Sequence, residues 1–123
     1  MGRFYLFEGV DGAGKTTLAE GLAERIGAVY YASPPESMRS LRKFADFSSP
    51  TSRLGFYTLG NHLSSAEISD LLKERDVVVD RYVYSTLTEH SVLLDQVLEM
   101  PPDLVQPDCI IHVTASWEEI EKR

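Results

Sequence analysis

The sequence predicts an α/β fold, a parallel β-sheet flanked by helices on both faces, and three observations predict it. Short apolar runs alternate with longer amphipathic segments, the order that parallel strands joined by helical crossovers require. One run, Val77-Val78-Val79, is apolar on every residue and ends in Asp80, as suits a strand covered on both faces. The first run, Phe4 to Phe7, leads into Gly9-Val10-Asp11-Gly12-Ala13-Gly14-Lys15-Thr16, which satisfies G-x-x-x-x-G-K-[ST] between a strand and a helix.

Taken in order, residues 3–8 read as a central strand. From Gly14, the apolar residues Leu18, Leu22 and Ile26 recur every fourth position with Glu20, Glu24 and Arg25 turned outward; Gly27 is a natural helix stop. Residues 28–32 form a second short strand carrying Tyr30 and Tyr31. Ser33-Pro34-Pro35-Glu36 fits a helix start, with a serine cap, proline at the first helical position and a capping glutamate. The helix predicted over 38–47 carries Arg39, Arg42 and Lys43 and is broken by Ser48-Ser49-Pro50. Residues 51–63 are helical in composition despite Gly55 and Gly60. Ser64 with Glu67 marks another helix start, so 51–72 is either two helices or one kinked helix. Strand 77–80 is followed by a helix over 82–98, closed by Met100-Pro101-Pro102, and Pro107-Asp108 introduces a last strand over 109–114. Ser116-Trp117-Glu118-Glu119 opens a final helix. It has barely two turns before Arg123, too few to stand without more chain to pack on. The 123 residues are therefore expected to be the N-terminal part of a single domain, ending before further strands and helices.

The composition supports one domain with a core. Twelve basic against nineteen acidic residues give −7, which argues against non-specific binding to nucleic acid or an anionic membrane. The lone cysteine, Cys109, can form no internal disulfide and is expected as a small core residue in a reducing compartment. With no transmembrane-length run and no signal-peptide pattern, a cytoplasmic protein is expected. His62, His90 and His112 lack metal-ligand spacing.

The glycine-rich pattern is a phosphate-binding loop by its chemistry. Glycines let successive backbone N–H groups turn inward around an anion, and the following helix aims its positive end at the same point. Lys15 adds a mobile cation for the outer phosphates, and the Thr16 hydroxyl is a ligand for Mg²⁺. Asp80 closes an apolar strand, where enzymes with this loop carry the carboxylate for Mg²⁺, and Arg81 enters the same cleft. The strand ends bring together residues 9–14, 32–35 and 80–82.

Phe7 through Thr17, together with Asp80-Arg81-Tyr82-Val83-Tyr84-Ser85 and Pro107-Asp108 before a strand, resemble the thymidylate kinase family of nucleoside monophosphate kinases. The resemblance runs along the whole chain and implies a three-layer P-loop fold truncated before a C-terminal lid. It implies that Gly9, Gly12, Ala13, Gly14, Lys15, Thr16 and Thr17 hold the phosphates of ATP, with Thr16 and Asp80 at Mg²⁺. Asp11 matches the carboxylate that meets the acceptor's sugar, and Arg81 the arginine on the acceptor phosphate. Ser85 and Thr86 match positions near the acceptor base, and Glu8 a carboxylate behind the loop. Lys15, Asp80 and Arg81 are the catalytic residues it implies; a small nucleotide is the partner, and a homodimer is compatible with it.

The chain departs from the family pattern in the acceptor region. Ser33-Pro34-Pro35 stands where an arginine is usual, and the middle helix has no arginine over 57–62, although Arg53 precedes it. Glu89 stands where a tyrosine helps to recognise deoxyribose. Arg39, Arg42 and Arg53 read as a solvated basic face that could also substitute. Two rivals to a monophosphate acceptor stay open. A nucleoside kinase needs a base to deprotonate a hydroxyl, a role Glu36 could fill. A regulatory nucleotide-binding module is the other, although the N-K-x-D pattern of a GTPase does not occur in the sequence.

Overall fold

The computed structural model describes residues 1–9 and 14–114. Residues 10–13 of the glycine-rich loop, including Asp11, Gly12 and Ala13, and the helix start expected at Ser116 lie outside the described residues. The elements are β1 (Phe4–Glu8), α1 (Lys15–Ile26), β2 (Val29–Ala32), a 3-10 helix (Glu36–Leu41), α2 (Arg42–Asp46), α3 (Pro50–Leu72), β3 (Val77–Asp80), α4 (Val83–Leu94) and β4 (Cys109–His112). The four strands form one sheet in the order β2-β3-β1-β4, with every pair parallel.

Strand parity distributes the side chains between two cores, because successive residues of a strand face opposite sides of the sheet. Phe4 and Leu6 of β1, with Val77 and Val79 of β3, pack with Ile68 and Leu72 of α3 and Val83 of α4. Phe7 and Val78 go the other way, onto Ala19 and Ala23 of α1. The fully apolar sequence of β3 follows directly: it is buried on both faces.

Helix α1 begins and ends on left-handed glycines, Gly14 at φ 84° and Gly27 at φ 69°, a conformation that spares glycine the Cβ clash. Its packing stripe differs from the expected one. Ala19 and Ala23 are buried, whereas Leu18 and Ile26 are 53% and 40% exposed. Two alanines let the helix approach the sheet closely, and the leucine spacing ran along its flank. Residues 51–72 belong to one 23-residue helix, α3, which takes in Pro50 and is capped by Ser49 accepting from Ser52 N at 3.2 Å. Gly60 sits inside α3 because a Cβ there would lie 3.2 Å from Pro34 Cβ.

Other expected boundaries shift. Ser33 does not cap a helix: the Ser33–Pro34 peptide is cis. The 3-10 helix starts at Glu36, with no side-chain cap. Ser33 N donates instead to Asp80 O at 3.2 Å, extending the β2–β3 ladder. The helix expected over 38–47 is thus a 3-10 turn followed by the short α2. Helix α4 stops at Leu94 because Asp95 turns left-handed, φ 50°. The last strand spans Cys109–His112, and Cys109 is exposed rather than a core residue, because β4 is the edge strand of the described sheet.

Candidate active site

The carboxyl ends of the strands lie level with one another. Phe7 is in register with Asp80, and Ala32 with Asp80 on the other side. Arg81 N donates to Phe7 O at 3.0 Å. Parity then decides where the two terminal carboxylates go. Asp80 shares the α1 side with Val78, and Glu8 shares the α4 side with Leu6.

Asp80, 5% exposed, is the hub of the first arrangement. Lys15 Nζ forms an ion pair and hydrogen bond with its Oδ1. The Thr16 hydroxyl donates to Oδ2 at 2.8 Å, and Tyr30 OH donates to the same oxygen at 2.7 Å. Burial acts to raise the Asp80 pKa, but the hydrogen bonds from Lys15, Tyr30 and Thr16 outweigh it and hold the carboxyl below its ordinary value. The first hydrogen bond of α1 runs from Leu18 N to Gly14 O at 3.1 Å. The N–H groups of Lys15, Thr16 and Thr17 therefore precede the helical ladder and are available to an anion at the helix end. Gly9 has φ 149°, and a Cβ on it would meet Val113 O at 2.5 Å. The loop thus leaves β1 through a conformation and a gap that only glycine fits.

Glu8, also buried, reaches α4. Its Oε2 accepts from Ser85 N at 3.2 Å, and its Oε1 accepts a short hydrogen bond from Ser85 Oγ. Ser85 is the third residue of α4, so Glu8 caps that helix from a neighbouring strand; Tyr82, at the cap position, makes no side-chain capping bond. Burial pushes the Glu8 pKa up, against the lowering pull of Ser85.

A second arrangement lies beside the first. A cleft of about 290 Å³ is lined by Lys15, Thr16, Asp80, Arg39, Arg42 and Arg81, among others. A narrower recess adjoins it, lined by Arg53, Tyr57, Asn61, Thr86 and Glu89 and sharing Arg42 and Arg81 with the cleft. Arg81 takes a left-handed backbone, φ 68°, a strained state for a non-glycine residue that redirects its side chain toward both spaces. Its Nη1 lies 3.5 Å from Glu89 Oε1.

Arg53 does not belong to a solvated face. Its side chain is 20% exposed and engages Glu89 Oε2 at 3.4 Å, Asp46 Oδ1 at 3.4 Å and His90 Nε2 at 3.1 Å. The guanidinium carbon stands 4.9 Å from the Tyr57 ring centroid, within cation–π range. His90, fully buried, donates from Nδ1 to Thr86 O at 2.7 Å, so the bare Nε2 accepts from Arg53 Nη1. Asn61 Nδ2 donates to Thr86 Oγ1 at 2.9 Å. Sequence reasoning left Asn61 and His90 without a role in the site. The 86/90 spacing, one helical turn, was the visible signal for the His90–Thr86 bond.

Lys15, Thr16, Asp80 and Arg81 thus converge as expected, with Gly9 and Gly14 at the ends of the loop. Thr17 lies in the first turn of α1 and is exposed. Glu36 is exposed and has no capping hydrogen bond, contrary to the expected capping role.

A family model described as thymidylate kinase matches residues 7–123. The chain is 32% identical, over its whole length, to a probable thymidylate kinase of Methanococcus vannielii, of which it covers 66%. It is 36% identical over 91% of its length to the human mitochondrial UMP-CMP kinase 2, covering 28% of that protein. Among solved structures, the thymidylate kinase of Candida albicans superimposes with a TM-score of 0.77 at 23% identity, covering 99% of this chain and 67% of that one; that likeness concerns the fold. The chain spans about 66% of the length of the archaeal relative.

Proposed function

This chain belongs to the thymidylate kinase family, and we propose that the complete protein transfers the γ-phosphoryl group of ATP to a nucleoside monophosphate, with thymidylate the first acceptor to test. The observation that carries the reading is the convergence of Lys15 and Thr16 on Asp80, with Arg81 directly beside it at the mouth of the arginine-lined cleft. One half of the cleft suits the phosphates of a donor. The other offers cations to a second anion.

The acceptor argument is electrostatic. A phosphate monoester, second pKa about 6, is largely dianionic at neutral pH and attacks without losing a proton. Its enzyme needs cations and alignment more than a base. Arg81, Arg53 and Arg42 meet that need. The nucleoside-kinase alternative requires a base near the acceptor hydroxyl. Glu36, the residue considered for it, is exposed in the first turn of the 3-10 helix, which favours the monophosphate.

Within this reading, the backbone amides at the start of α1 and the Lys15 ammonium bind the donor's phosphates. Lys15 leaves Asp80 to do so. The Thr16 hydroxyl and Asp80 carboxylate, joined at 2.8 Å, are the hard oxygen donors that suit Mg²⁺. When bound, that ion neutralises charge on the transferring phosphoryl group. Among the described residues no helix is long and apolar enough to cross a membrane.

The test is ADP release by the full-length protein across a panel of nucleosides and their monophosphates. Stimulation by one or more monophosphates, and not by the matching nucleosides, is expected. Stimulation by nucleosides alone, or release independent of any acceptor, would overturn the reading.

A further inference from the structure

Glu89 lies between two arginines of the acceptor recess. Its Oε2 is 3.4 Å from Arg53 Nη2 and its Oε1 is 3.5 Å from Arg81 Nη1, so one carboxylate spans helix α3 and the strand end of β3. Both guanidiniums are only 20% exposed, while Glu89 is 41% exposed. The recess they line also holds Ser85, Thr86, Asn61 and Tyr57. Two partly buried cations facing one space repel each other, and an anion between them relieves that repulsion.

We propose that Glu89 is an internal counter-ion at the acceptor seat, holding Arg53 and Arg81 in place and competing with the acceptor's phosphate for them. The inference rests on the monophosphate reading for its ligand, though not for its electrostatics. Glu89 is a specificity-determining residue in this scheme: an acceptor must carry enough negative charge to displace a carboxylate. A phosphate dianion repays the exchange; a neutral nucleoside has no charge with which to compete. Arg53 is kept from following Glu89 outward by His90 and Asp46, which hold its other nitrogens.

The experiment titrates the full-length protein, as wild type and Glu89→Gln, with inorganic phosphate, thymidine monophosphate and thymidine, and measures ADP release in parallel. The amide keeps the shape and removes the charge. Phosphate and thymidine monophosphate should bind the variant about tenfold more tightly, and thymidine should change less than twofold. In an Arg53→Gln background the gain should shrink to threefold or less, a coupling that a merely structural role would not produce. Unchanged or weaker phosphate binding by a variant that melts at the wild-type temperature overturns the proposal, as does an equal gain for thymidine. The two readings fail separately. Turnover of monophosphates with no effect of Glu89→Gln leaves the kinase standing and removes the counter-ion. Tighter phosphate binding with no monophosphate-stimulated ADP release does the reverse.

Discussion

The carboxylate of Glu8 accepts from the backbone N–H of Ser85 at 3.2 Å, so the last residue of β1 caps the helix that lines the recess with Thr86 and Glu89. The strand that launches the phosphate-binding loop and the helix that lines the recess are thereby set against each other by one buried side chain. Replacement of Glu8 by Ala leaves the Ser85 N–H and hydroxyl without that partner. The expected loss is about 1–3 kcal/mol in urea denaturation.

The same residue makes stability depend on pH in a definite direction. Burial raises the Glu8 pKa above its ordinary 4.5, so between that value and the folded one the folded protein binds the proton more than the unfolded chain does. Its contribution is complete below 4.5 and declines as pH rises through the folded pKa. Glu8→Gln should flatten this part of the stability–pH curve. A wild-type slope there in the variant would show that another group titrates.

Asp80 has the opposite sign. Its pKa is held below the ordinary 3.8, so its contribution is present above that value and is lost as acid carries the pH down through the folded pKa. Asp80→Asn should reduce kcat by about a hundredfold or more. Lys15→Met should lower turnover similarly and also destabilise the fold, because it leaves a buried carboxylate without its cation. Steady-state ADP release and thermal melting distinguish the two effects.

Gly9 tolerates no side chain. A Cβ would stand 2.5 Å from Val113 O, with φ at 149°. Gly9→Ala is expected to cost about 2–3 kcal/mol and to weaken ATP binding, since the loop would have to leave β1 along a different path. Chemical denaturation and nucleotide titration of the variant read both consequences.

His90 holds Arg53 through a buried ring nitrogen at 3.1 Å. His90→Phe keeps the ring and removes both hydrogen bonds. The KM for the monophosphate should rise about five- to tenfold, with a smaller fall in kcat, because the residue positions a binding group and touches no reacting atom. A loss confined to kcat would contradict that role.

The order of elements, the parallel sheet and the Lys15–Thr16–Asp80–Arg81 constellation were legible in the residues, because each rests on local rules. Apolar runs end where strands end, glycines mark helix limits, and the phosphate-loop spacing is short enough to read along the chain. The 3.6-residue period alone misjudged α1: leucines at every fourth position looked like a core stripe, yet two alanines make the close contact. Ser33 looked like a cap by pattern and instead extends the sheet toward Asp80.

By itself, then, the sequence determined the fold class and the grouping of Lys15, Thr16, Asp80 and Arg81 in one cleft, since those residues are neighbours in the chain or follow strand ends. Only the tertiary structure decided which side chains line the adjoining recess. Arg53 stands 36 residues before Glu89 and 37 before His90, and no local period relates it to them. Their meeting depends on how α3 and α4 pack against the same face of the sheet. The physical reason is that a charge becomes part of a site only through what it faces. Which arginine is solvated and which is held in a cleft is a property of packing, and the same letters in the chain are compatible with either.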